Sequence, residues 1–149
     1  MKDLNSEIRV VTLFSSPTLD ATDYSDYIDL ASFPGWESIV FNVYQKMGTV
    51  GASNYITPTL LEASATPATN GSYSAVDSGD LIGSFSAALT TTAQDEQVGF
   101  ARSDIDTRYL CVKLTETGTA IGNFVVTAIL SFAREGVCSG ESVTTGTVT

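Results

Sequence analysis

Hydrophobic and polar residues alternate along much of this chain with a period of two, which is typical of half-buried β-strands. The clearest case is residues 123–133, where one face carries Phe124, Val126, Ala128, Leu130 and Phe132. This segment is predicted to be a central strand. Its other face mixes apolar and hydroxyl side chains, and such a face suits a position under a loop or against another subunit; it carries Val125, Thr127, Ile129 and Ser131.

Two further segments repeat this alternation. In residues 108–115 the predicted inward positions are Leu110, Val112 and Leu114, and the outward ones are Tyr109, Cys111 and Lys113. In residues 37–45 the predicted inward positions are Ile39, Phe41 and Val43, and the outward ones are Val40, Asn42 and Tyr44. The Gly- and Thr-containing connection 116–122 has the composition of a hairpin loop, so the strands on either side of it are expected to pair antiparallel. Residues 37–45 and 55–64 are likewise expected to pair across the loop 48–54, with Pro58 marking an edge or a bulge.

Shorter strand patterns occupy residues 7–14, 27–31, 73–76 and 96–101, which brings the total to about eight. Residues 80–88 are predicted to form a loop with at most one helical turn, because Gly83 interrupts a short apolar pattern. The chain is therefore predicted to be all-β, an antiparallel two-sheet β-sandwich of the jelly-roll or immunoglobulin-like type. One domain is expected over residues 1–135, with a flexible N-terminal start, followed by an extended C-terminal arm over 136–149.

Composition supports strands and excludes some partners. Ser and Thr fill 37 of the 149 positions, whereas charged residues make up only 16%. The formal net charge of −10 repels nucleic acid and anionic membranes, so neither is expected as a partner. No apolar run reaches the ~20 residues of a membrane-spanning helix, and the acidic N-terminus is unlike a secretory leader, so no cleaved leader is expected.

Candidate chemistry is sparse. The chain contains no His, which removes the usual general base and the commonest metal ligand, and it has no phosphate-binding Gly-rich loop. We therefore expect no enzyme, no catalytic residues and no cofactor. The acids Asp20, Asp23, Asp26 and Asp29 are spaced three apart; they are either calcium ligands or solvated loop acids, and the extended spacing favours the latter. No metal is expected.

Three smaller features each have two interpretations. The aromatic group Tyr24, Tyr27, Phe33 and Trp36 is either a sugar-stacking platform or part of the core, with Trp36 closing one end of a sandwich. Arg102 and Arg108 flank Asp104 and Asp106, which favours local charge pairing over recognition of an anionic ligand. Cys111 is expected to be a core residue and Cys138 a free thiol, although a disulfide between them is an open alternative.

The order of several soft motifs resembles a known family. From Ile28 to Leu130 the chain carries IDL, FPGWESIVFNV, TLLEAS, NGSYSAV, DLIGS, VGFARSDIDTRYLCVKL, TGTAIG and VVTAIL in succession. This order resembles the decoration, cement or auxiliary capsid proteins of tailed bacteriophage heads. The long stretch after DLIGS, the Thr-rich C-terminal arm and the acidic segment from Asp20 to Asp29 depart from that pattern.

The resemblance implies a structural virion protein without catalytic activity. It would bind the outer surface of the capsid after assembly in the bacterial cytoplasm, and it would stabilise or decorate the head. Its partners would be the major capsid protein and its own copies, with a trimer as one form of homo-oligomer. The alternative is a carbohydrate- or cell-surface-binding β-sandwich module of a phage fibre or tail, for which Trp36 would supply an exposed aromatic.

Overall fold

The computed structural model describes residues 8–19, 21–69, 72–85, 88–90, 93–101, 107–132 and 145–146. These residues form eleven strands: β1 (Ile8–Leu19), β2 (Asp23–Tyr24), β3 (Tyr27–Asp29), β4 (Trp36–Thr49), β5 (Tyr55–Ala63), β6 (Ser74–Ala75), β7 (Leu81–Ile82), β8 (Gln94–Ala101), β9 (Tyr109–Thr117), β10 (Ile121–Phe132) and β11 (Thr145–Gly146). Two short 3-10 turns, Leu30–Ser32 and Ser78–Asp80, are the described helical elements. The predicted all-β class is confirmed.

The strands form two packed antiparallel sheets. Sheet A has the order β1-β10-β4-β8-β7, and sheet B has the order β11-β3-β9-β5-β6, with β2 also paired to β9. The eight strands expected from the sequence are all present, and the three additional ones, β2, β7 and β11, are two residues long. Among those eight, the pairs are nested along the chain: β1 pairs with β10, β3 with β9, β4 with β8 and β5 with β6. This nesting is that of a jelly roll.

The core lies between the inward faces of the two sheets. The predicted inward positions of β4, β9 and β10 are all buried, and Phe41, Phe124 and Leu130 are fully enclosed. Because side chains alternate across a strand, each sheet gives one apolar face to this core and turns the other face outward. The sequence prediction of these inward faces is confirmed.

The two sequential pairings expected from the sequence are wrong. β9 pairs with β5, β3 and β2 in sheet B, whereas β10 pairs with β1 and β4 in sheet A. β4 and β5 are likewise in different sheets. A hairpin joins two neighbouring strands of one sheet, whereas a crossover joins strands of different sheets. Both leave the same alternation in the flanking strands, so the period of two does not distinguish them.

The two crossovers lie together at one end of the sandwich. Gly118 has a positive φ of 73°, and the amide of Thr119 donates to the side-chain oxygen of Asn54 at 3.1 Å. A Cβ on Gly118 would collide with this Asn54 side chain and with the carbonyl of Ser53. Gly118, in the connection 116–122, therefore allows a tight crossover between the sheets and not a hairpin.

Of the edge or bulge predicted at Pro58, the structure shows a local edge: β6 lies beyond β5 but pairs only with Leu61 and Glu62, so Pro58 has no β6 partner. The carbonyls of Ile56 and Leu60 accept from the amides of Leu89 and Val76, on the side of β5 away from β9. Main-chain groups of every second residue point to the same side of a strand, so the nitrogen of Pro58 also points away from β9. No described strand accepts a hydrogen bond there, so the missing N–H of proline costs nothing.

The acidic segment closes one side of the sandwich. The Ser25 amide donates to the Val112 carbonyl of sheet B at 2.9 Å, and the Asp26 amide donates to the Leu13 carbonyl of sheet A at 2.9 Å. The predicted domain boundary at residue 135 and the N-terminal start lie outside the described residues. Within the predicted C-terminal arm, Thr145–Gly146 pairs with β3 at the edge of sheet B.

Candidate functional site

An apolar row crosses the outer face of sheet A. The pairing registers place five residues side by side on successive strands: Val10, Ile129, Val40, Gly99 and Ile82. Val10 and Ile82, on the two edge strands, are 62% and 57% exposed. We call this set the apolar row. Large apolar side chains that remain in water on a folded domain are typical of contact surfaces when they are contiguous.

The rows on either side of the apolar row are uncharged. One consists of Ile8, Ser131, Ser38 and Ala101, and the other of Thr12, Thr127, Asn42 and Gln97. The hydroxyls of Ser38 and Ser131 are hydrogen bonded to each other at 2.7 Å. Asp95 begins the next row, beside the exposed Tyr44. In a chain with 17 acidic residues, these three rows carry no charged side chain, and the bordering Asp95 carboxylate accepts from the side-chain amides of Asn42 and Gln97 at 3.5 and 3.3 Å.

The sequence partly anticipated this face. The mixed outward positions of residues 123–133 predicted contact with a loop or another subunit, and Ile129 is one of them. The contributions of Val10 and Ile82 could not be anticipated, because they join the row only through the register of β1 and β7. The two-residue strand β7 has too few positions to show a period.

The three spaced acids that the structure describes, Asp23, Asp26 and Asp29, do not converge on one point. Asp20 lies outside the described residues, Asp23 is exposed and accepts from the Tyr24 amide, and Asp29 is buried. Among the described residues no three His, Cys, Asp or Glu side chains gather as metal ligands would. Asp23 and Asp26 instead line an open groove of about 340 Å³ with Tyr24 and the β1 residues Thr12, Leu13, Phe14 and Ser15.

Asp29 and Arg108 form a two-pronged ion pair on the outer face of sheet B. The Nε and Nη2 atoms of Arg108 donate to the two carboxylate oxygens of Asp29, each at 2.9 Å. The hydrogen bonds from Arg108 lower the pKa of Asp29 against the opposing effect of burial. The described partner of Arg108 is thus 79 positions away, whereas the sequence predicted local pairing; that local pairing stays a prediction, because Arg102, Asp104 and Asp106 lie outside the described residues.

A second buried cluster covers the outer face of β9. Tyr109 and Cys111 were expected outward, yet they are 3% and 0% exposed, because the chain after β5 folds over this face. The Thr66 hydroxyl is 2.7 Å from that of Tyr109, and the hydroxyl of Tyr73 lies beside the Cys111 thiol. Burial raises the pKa of Cys111 to about 12. Cys111 is thus a buried residue, as expected; Cys138 lies outside the described residues.

The aromatic group does not form an exposed platform. Trp36 is 7% exposed and stacks on Phe100 with ring centres 6.2 Å apart, and Phe33 is 2% exposed beneath Arg9. Tyr24 and Tyr27 are half-buried. The core interpretation of Trp36 is confirmed, and the sugar-stacking interpretation of Trp36 is wrong.

Gln45 is a fully buried polar side chain without a hydrogen-bond partner among the described residues. Gln45 continues the inward face of β4, is 0% exposed, and neither of its amide atoms forms a hydrogen bond. Gln94 lies opposite Gln45 in the register, and Glu96, two residues further along β8, accepts from the Gln94 amide at 3.1 Å. The pattern of inward residues in 37–45 predicted apolar neighbours but not this orphaned amide.

Comparisons with protein-family models, curated proteins and solved structures give no match for this chain. Within the described ranges, no helix has the length and hydrophobicity that crossing a bilayer requires. What the surface of this protein binds is therefore inferred from the chemistry of its exposed residues.

Proposed function

We propose that this protein is a structural component of a tailed-phage virion that binds the outer surface of the capsid and stabilises or decorates the head. Its partners are the major capsid protein and its own copies. It acts through shape and contact, with no catalytic step. Assembly takes place in the host bacterial cytoplasm.

The observation that carries the proposal is the ordered set of motifs from Ile28 to Leu130, which resembles head decoration and cement proteins. The fold is compatible with that role, because jelly rolls recur in viral capsid proteins, although they also recur in lectins and a fold alone does not assign function. The uncharged apolar face of sheet A adds a surface suited to protein contact.

The alternative, a carbohydrate- or cell-surface-binding module, has less support. Its motivating residue, Trp36, is in the core and offers no ring face for a sugar. Of the aromatic group, the half-buried Tyr24 lines an open groove, together with Phe14. A glycan array on which the protein binds a defined sugar would favour the alternative.

Head survival tests the stabilising role. Phage heads with and without this protein are exposed to heat or osmotic shock, and intact particles are counted. We expect a higher surviving fraction when the protein is present, because each bound copy adds contact area at every symmetry-related site. Equal survival would show that the protein does not cement the head.

A further inference from the structure

We propose that two copies of this chain bind each other through the outer face of sheet A, with the apolar row at the centre of the contact. The inference rests on the proposed function, in which the protein contacts its own copies, and it names the surface that they use. Its basis is the size, charge and symmetry of that face.

The face is large enough for a reversible contact. Four long strands spaced ~4.8 Å apart, over the eight residues of β8, give a face of about 19 Å by 27 Å, or roughly 500 Å² per copy, and the two-residue β7 adds a short extension at one margin. Two such faces bury roughly 1,000 Å², the lower limit for a specific protein interface, which suits a monomer–dimer equilibrium.

Charge favours a second copy at this face over contact elsewhere. Two chains of net charge −10 repel each other, so their contact surface must keep carboxylates apart. The apolar row and its two neighbouring rows contain no charged side chain, and Asp95 lies at the margin. A cationic partner would find a single acid here, Asp95 at the margin, and none within the three rows.

The row is self-complementary under two-fold symmetry. We place a two-fold axis between the two facing sheets, parallel to the strands and above β4. This axis sets β1 of one copy opposite β7 of the other, and β10 opposite β8. The two most exposed side chains, Val10 and Ile82, then face each other at both margins. Nearer the centre, Ile129 faces Gly99, beside which the Ile82 side chain of the adjacent strand lies, so the contact there is apolar on both copies.

Self-association of the full chain in solution tests this inference. We expect analytical ultracentrifugation over a concentration series to show a monomer–dimer equilibrium. Val10→Lys and Ile82→Lys, placed at opposite margins, should each weaken the dimer at least about tenfold, because each buries a charge in an apolar contact. Ser74→Lys is the matched control: it makes the same charge change at an exposed strand position of sheet B and should leave the dimer unchanged.

Salt dependence adds an independent measurement. Raising the salt concentration screens the repulsion between the two acidic copies, so the dimer should become tighter, whereas a contact built on ion pairs would become weaker. Thermal melting of each variant confirms that it is folded, which is expected because Val10 and Ile82 are mostly exposed.

A monomer at all concentrations, a trimer, or a dimer unaffected by both lysine variants would overturn the proposal. The result is separable from the proposed function because no capsid is present. A dimer that fails to bind shells retains this inference and contradicts the virion role, and a monomer that binds shells does the reverse.

Discussion

At the scale of single residues, the buried polar groups carry the clearest energetic consequences. Gln45 is completely buried with both amide atoms unpaired, whereas Asp29 is buried with both carboxylate oxygens bonded to one guanidinium. A buried polar group costs free energy when it lacks a partner and can stabilise the fold when it has one. The two residues should therefore respond oppositely to removal.

Replacing Gln45 with an apolar residue of similar length should stabilise the fold. We expect Gln45→Met to raise the free energy of unfolding by about 1–3 kcal/mol, because it removes an unpaired buried amide without leaving a cavity. Urea denaturation measures the change. Gln97→Met on the exposed side of β8 serves as the control and, at concentrations at which the chain is monomeric, should change stability by less than about 0.5 kcal/mol. A loss of stability in Gln45→Met would show that the amide is satisfied.

Removing the Asp29 carboxylate should cost stability in a pH-dependent manner. We expect Asp29→Asn to lower the free energy of unfolding by about 1 kcal/mol at pH 7, a modest value because the Arg108 side chain is 50% exposed. The pKa of Asp29 is lower in the folded chain than its usual value of 3.8. The carboxylate therefore contributes fully above that value, and its contribution disappears as the pH falls through the lowered pKa.

The measurement is a comparison of melting temperatures for the parent and Asp29→Asn between pH 7 and pH 2. The gap between the two should be widest near neutral pH and should close in acid. A gap that stays constant over this range would contradict a stabilising charge on Asp29.

The thiol of Cys111 should be inert in the folded chain. Because burial raises its pKa to about 12 and the side chain is 0% exposed, little thiolate is present at pH 8 and reagents cannot reach it. In a Cys138→Ser variant, a thiol reagent at pH 8 should label no site in the native protein and one site in denaturant. Rapid labelling of the native protein would show that the segment after β5, which folds over the outer face of β9, opens readily.

At the scale of elements, the alternation of side chains determined which face of each strand is buried but not which strand lies beside it. The inward residues of β4, β9 and β10 were predicted from a period of two, and all eight main strands were found. Their partners were not, because Gly118 and Asn54 build a crossover whose sequence resembles a hairpin loop. The pairing of Asp29 with Arg108 likewise depends on β3 and β9 being neighbours, which no local pattern records.

Two glycines separate the effect of backbone conformation from that of crowding. Gly118 and Gly83 both have positive φ, but a Cβ on Gly83 would meet open space, whereas one on Gly118 would collide with Asn54 and Ser53. We expect Gly83→Ala to cost about 1 kcal/mol and Gly118→Ala to cost at least about 2–3 kcal/mol. Similar losses in thermal or urea unfolding would show that the crossover is not tightly packed.

The inward face of β10 should be intolerant of truncation. Phe124→Ala and Leu130→Ala should each cost about 2–4 kcal/mol, because both side chains are 0% exposed and their loss leaves a cavity. Thr127→Ala, on the outward face of the same strand, should change the free energy of unfolding by less than about 0.5 kcal/mol. Chemical denaturation that finds all three variants equal would contradict the assignment of the two faces.

At the scale of the whole molecule, the described strands form a jelly roll in which the outer face of sheet A carries the apolar row between two uncharged rows. Both sheets are stabilised by the core between them, so the outer face of sheet A remains available for contact without cost to the fold. The resemblance to head decoration proteins and this face together support a protein that works by binding its own copies and a shell.

The most direct measurement of this account is co-sedimentation of the purified chain with assembled empty shells of the major capsid protein from the same phage. The account predicts saturable binding, with a fixed number of copies per shell, and no binding to the unassembled capsid subunit. A chain that stays in the supernatant at every shell concentration would contradict the central claim.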